Sequence, residues 1–131
     1  MSDVPDPDKP GTRILGLVSV YRIVKTDPPQ ESDFWSDYAK GKHLRRGTRE
    51  ERYPVLQCGI STFDEAEIAA TVAKRFPFIG QFVAAIRLDL RRGDDVILCL
   101  SPGETNHYDL GGPPAKLLTF VTSVAPVAAL F

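Results

Sequence analysis

The stretch "GISTFDEAEIAATVAKRFPF", residues 59–78, decides the fold, because a strand-like run ends in it and a helix begins at once. Ala66, Ala69, Val72, Ala73 and Phe76 recur at helical spacing, and Pro77 stops the pattern, so the spacing predicts a helix over 64–76. Two registers compete for its start. Thr62 with Glu65 fits a capping box. Asp64 as N-cap instead makes Phe63 and Ile68 the pair that staples the helix entry, and Asp is at least as good a cap as Thr. The second register is preferred. It leaves Ser61 and Thr62 as hydroxyls at a strand end beside the positive helix terminus, where a polar or anionic ligand is favoured. The alternative is that both hydroxyls are satisfied by nearby backbone.

Upstream, "ILGLVSVYRIV" (14–24) is β-branched and apolar on both alternating faces, as in a central strand covered on both sides. "KTDPPQE" breaks it, since two prolines cannot extend a ladder. "SDFWSDYAK" (32–40) reads as a short helix with Ser32 as N-cap and Gly41 as its end. "GKHLRRGTREER" (41–52) is a polar, basic loop, and "YPVLQCGI" (53–60) returns to strand character. Downstream, "GQFVAAIRLDL" (80–90) alternates as a strand with one wet face. "RRGDD" then reads as a turn and "VILCL" (96–100) as its hairpin partner, which also accounts for the Arg-Gly-Asp tripeptide. "SPGETNHYDLGGPP" (101–114) is the longest irregular stretch, and 115–130 supplies a last strand. The order β, α, β, α, β, β, loop, β predicts an α+β domain with two main helices on a mixed, mostly antiparallel sheet, single or split. No G-x-G-x-x-G follows the first strand, which argues against a doubly wound dinucleotide-binding sheet.

With 131 residues and an ordinary 43% of apolar side chains, the chain is sized for one domain, read as 13–131. Residues 1–12, acidic and proline-rich, read as a disordered lead-in and not as a signal peptide. A net charge of −1 provides no global attraction to nucleic acid or acidic lipid, and no apolar run approaches a membrane span. Cys58 and Cys99 lack CxxC spacing and read as reduced core thiols, which fits a cytoplasmic location.

Three groups of residues carry possible chemistry. Arg22 is a charge in an otherwise apolar strand, and an unpaired guanidinium there would cost several kcal/mol, roughly. It must meet a carboxylate, backbone carbonyls, a ligand or solvent at the strand end. Its planar fork of donors suits phosphate and carboxylate. Ser61 and Thr62 form the second group. The third is Glu104, His107, Tyr108 and Asp109, four hydrogen-bonding or proton-transferring groups in one loop, with a solvated turn as the plain alternative. His43 reads as a surface histidine, and two distant histidines without a cysteine cluster make no metal site.

"VYRIV", "GISTF" with its alanine-rich helix, and "GETNHY", in that order, resemble the ADP-ribosyltransferase superfamily of the arginine–serine–glutamate variety, which includes small bacterial toxins. The resemblance implies that fold and NAD as substrate. It implies that Arg22 contacts the dinucleotide phosphates, that Ser61 and Thr62 shape the nicotinamide side, and that Glu104 stabilises the ribosyl cation. Phe63 or Tyr108 would stack on the nicotinamide, and His107 or Glu104 would act as base for an acceptor. Two positions depart from the family pattern: Phe63 stands where a second serine is usual, and Asn106 where a second glutamate is. These departures support a different class, a non-catalytic protein-binding module such as an inhibitor, antitoxin-like partner or adaptor. A third expectation, weaker on its residues, is RNA contact through Lys40, Lys42, Arg45, Arg46, Arg49 and Arg52, diluted by Glu50 and Glu51.

Overall fold

The computed structural model describes residues 14–35, 59–91, 96–101 and 105–130. Strands β1 (Leu17–Val24), β2 (Ile60–Phe63), β3 (Phe82–Asp89), β4 (Ile97–Leu100), β5 (His107–Gly111) and β6 (Val121–Pro126) form one six-stranded sheet. Its order is β4-β5-β2-β1-β3-β6. Every pairing among the described residues is antiparallel. Helix α1 (Ala66–Arg75) and the shorter α2 (Pro114–Leu118) complete an α+β domain, with 3-10 turns at Glu31–Phe34, Pro77–Ile79 and Val127–Leu130.

The sheet has two covered faces. On one, Val20, Ile60, Ile86, Leu88, Leu98 and Leu110 pack with Phe34 of the first 3-10 turn and Leu117 of α2. On the other, Ile23, Phe63 and Val83 receive the small side of α1, which presents Ala69, Ala70 and Ala73. The spacing of those alanines brings the helix backbone close to the strands, and Lys74 and Arg75 suit its negative C-terminal end. Pro126 is tolerated because β6 is an edge strand, where a missing N–H costs no ladder bond.

The halves of the sheet are joined narrowly. β1 pairs with β3 over eight positions, Leu17↔Asp89 to Val24↔Phe82, but with β2 at Tyr21↔Phe63 alone. Ahead of β1, the Ile14 N–H donates to the Leu98 carbonyl of β4 at 2.7 Å, and residues of both three-stranded halves, β4-β5-β2 and β1-β3-β6, share the core around Phe34.

Several expectations are corrected. "VILCL" is not the hairpin partner of 80–90: β3 lies between β1 and β6, and β4 pairs with β5. β3 has its edges filled by longer partners, so the chain after Leu90 crosses to the far edge. The stretch 101–114 is not irregular throughout, since β5 lies within it, and 115–130 contains α2 and a 3-10 turn besides β6. β1 is covered on both sides only at its C-terminal end, since Leu17 is 54% exposed. The segment 32–40 begins as a 3-10 turn over Glu31–Phe34 with Gln30 at its N-cap, not Ser32, and Trp35 closes the turn in an extended conformation; residues 36–40 lie outside the described residues. So do the lead-in 1–12, the basic segment 41–52 with His43, Cys58 and the turn at 92–95.

Gly80 enters β3 where no side chain fits. A Cβ there would lie 2.4 Å from the Val24 carbonyl oxygen and 2.8 Å from its carbon. Both are backbone atoms of the central strand and cannot swing away. Gly80→Ala is expected to cost about 1–3 kcal/mol, read as a lower urea midpoint at unchanged slope. An unchanged midpoint would show that β1 and the β3 entry separate freely.

Candidate functional site

Arg22 stands next to Tyr21, the one β1 residue in register with β2. Its Nη1 donates to the Ser61 carbonyl at 2.9 Å, and its Nε donates to the Asp33 carbonyl at 2.8 Å. A side chain of β1 thus supplies the donor that the β1 backbone no longer offers to β2. This spans the narrowest part of the sheet.

Asp33 organises the approach to Arg22. Its carboxylate accepts from the Lys25 N–H at 2.9 Å, the Gln30 N–H at 2.9 Å and the Thr26 hydroxyl. Burial alone would raise its pKa, but these donors and the positive Arg22 outweigh burial and hold it below the usual carboxylate range. The segment following β1 is folded around this one side chain, and the Asp27–Pro28 peptide within it is cis.

The start of α1 differs from the preferred register. The helix N-cap is Glu65, with no side-chain capping bond. Asp64 has a tertiary task instead: both its carboxylate oxygens accept from Asn106 Nδ2 at 3.1 Å, and its N–H donates to the Asn106 carbonyl at 3.2 Å. Asn106 has φ of 61°, a left-handed conformation that asparagine tolerates better than most residues. Asn106 in this way ties the start of β5 to the start of α1.

β2 and β5 pair as Ser61↔Asp109, Thr62↔Tyr108 and Phe63↔His107. Alternation divides these residues between the two sheet faces. Thr62 is fully buried, and its hydroxyl donates to the Tyr108 carbonyl at 3.0 Å, the plain alternative for that residue. The Tyr108 ring packs against the core that contains Phe34 and Leu110. Ser61, Phe63, His107 and Asp109 belong to the α1 face. Phe63 meets the His107 ring edge-on, with centroids 5.3 Å apart and planes at 85°. The structure therefore brings Arg22 to Ser61 through the Ser61 backbone, and Phe63 to His107 through their rings. It sets Thr62 and Tyr108 on the opposite face from His107, and strand alternation puts the Arg22 side chain on that face too, with Val20 and the Asp33–Phe34 turn. Glu104 lies outside the described residues.

Ser101 is the member of this site that sequence reasoning missed. It sits just beyond β4, 1% exposed, with its N–H donating to the His107 carbonyl at 3.0 Å. Its Oγ is 2.5 Å from His107 Nδ1 and donates to Asp109 Oδ2 at 2.8 Å. The usable signal was the alternation of His107 and Asp109 on one strand face, which only a strand assignment would have revealed.

Among the described residues, no three His, Cys, Asp or Glu side chains are gathered to hold a metal ion, and no helix is long and apolar enough to cross a membrane. The basic residues considered for RNA contact lie outside the described residues. Comparison of the chain with protein-family models, curated proteins and solved structures finds no match.

Proposed function

We propose that this chain is an NAD-binding, ADP-ribosyltransferase-like domain, of the toxin or effector kind, acting on a protein or other nucleophilic acceptor. The observation that carries the reading is adjacency. The three segments that resemble the superfamily fall on, or lead directly into, neighbouring strands β1, β2 and β5, with Arg22 Nη1 2.9 Å from the Ser61 carbonyl. Residues thirty-nine positions apart in sequence meet there.

Cleavage between nicotinamide and ribose builds positive charge on the sugar, as glycoside cleavage does. Nicotinamide departs neutral with the bonding electron pair, the acceptor's lone pair forms the new bond to the sugar carbon, and the acceptor's proton goes to a base. Arg22 serves as the pyrophosphate clamp, where a guanidinium fork is well matched to phosphate oxygens. Phe63 provides an apolar wall for the nicotinamide ring. His107 is the acceptor's base, and Glu104 the carboxylate that favours the cationic transition state.

NAD is expected to raise the melting temperature. At tenfold excess over Kd the ligand contributes about 1.4 kcal/mol, a rise of roughly 4–6 °C for a domain of this size. Arg22→Ala is expected to abolish that rise, whatever its effect on the ligand-free melting temperature. Absence of a rise in the unaltered protein at millimolar NAD would overturn the proposal.

One observation favours the second reading, a protein-binding module. Phe76, Phe78 and Ile79 follow the end of α1 as an exposed apolar knuckle, with Phe78 77% exposed. That reading expects a stoichiometric partner to co-purify, with no turnover of NAD.

A further inference from the structure

We infer that Ser101 and Asp109 are positioning residues that hold His107 with its proton on Nδ1, so that Nε2 carries the lone pair of the neutral ring. The argument is one of proton counting. A serine hydroxyl has one proton to give and lone pairs to receive with. Ser101 Oγ donates its one proton to Asp109 Oδ2, at 2.8 Å. Ser101 Oγ is then an acceptor towards His107 Nδ1, 2.5 Å away, and that nitrogen must carry a hydrogen.

The surroundings fix this arrangement. Ser101 and Asp109 are both buried, so a mis-directed hydroxyl would have no water to turn to. The Ser101 N–H bond to the His107 carbonyl sets the separation of the two residues, and the edge-on Phe63 ring sets the imidazole plane. A chain of this kind, carboxylate to hydroxyl to imidazole, orients the ring and stabilises its charged form after proton uptake. The use of Nε2 as the base for an acceptor rests on the proposed function; the tautomer does not.

The test is the nitrogen spectrum of the histidine rings in the full chain, at a pH where the imidazole is neutral. His43→Gln removes the one other histidine and assigns the signals. The expected result is a protonated, pyrrole-like Nδ1 and an unprotonated, pyridine-like Nε2 for His107. Ser101→Ala is expected to shift the ring mainly to the Nε2–H form, and Ser101→Thr, which keeps the hydroxyl, to retain the original form. A ring protonated on Nε2 in the unaltered protein would overturn the inference, and that measurement stands even where a variant fails to fold. An Nδ1–H ring in a protein that neither binds nor cleaves NAD would support the inference while removing the function proposed above.

Discussion

Replacing Asp33 with alanine is expected to destabilise the domain by about 3 kcal/mol or more, since three donors lose a buried acceptor at once. The Lys25 and Gln30 N–H groups and the Thr26 hydroxyl all converge on this carboxylate, which is 9% exposed. Its loss also takes a negative charge away from Arg22, whose Nε is held by the Asp33 carbonyl. The damage therefore spreads from the turn after β1 to the seam between the sheet halves. The effect should depend on pH in a defined direction. Burial opposes ionisation of Asp33, but the donors and Arg22 prevail and lower its folded-state pKa. A lowered pKa means that the stabilisation is complete above the unfolded-state value, about 4, and is lost as pH falls through the folded-state value. Urea unfolding should show the full difference between the parent and Asp33→Ala at pH 7, with the gap narrowing below about pH 4. A difference under about 1 kcal/mol at pH 7, the worth of a single ordinary hydrogen bond, would show that the turn holds without its carboxylate.

The sequence made some of this visible. The alternation in 80–90 identified β3, and the alanine spacing identified α1, because in both cases the buried side is written into consecutive residues. The choice of strand neighbour was not legible. A turn-like "RRGDD" between two apolar runs signals a reversal, but not whether the runs pair. That is decided by β1 and β6, which occupy both edges of β3. β5 was missed because "HYDLG" is mostly polar or small. Its polar groups are satisfied by Ser101 and by β2, partners that no local pattern reveals. The cap at α1 failed for the same reason: Asp64 has the right chemistry for an N-cap, but Asn106 offers it two donor contacts. Arg22 was legible as an anomaly. Its solution combines the backbone carbonyls of Ser61 and Asp33 with a neighbouring carboxylate, two of the partners that an apolar strand demanded.

Replacing His107 with glutamine is expected to lower nicotinamide release coupled to an acceptor by about 100-fold or more, the range for loss of a general base. Glutamine can keep a hydrogen bond towards Ser101, and the backbone pairing Phe63↔His107 does not depend on the ring. What it lacks is a ring nitrogen whose lone pair can take a proton. The NAD-induced rise in melting temperature should therefore persist in His107→Gln while turnover collapses, the reverse of the expectation for Arg22→Ala, which loses the rise itself. The two residues would then separate into binding and proton transfer. If His107→Gln loses the thermal rise as well, His107 belongs to the binding surface and the proton is taken elsewhere. If turnover is unchanged, the imidazole is held beside Phe63 for packing alone, and the base must be sought in the segment that includes Glu104.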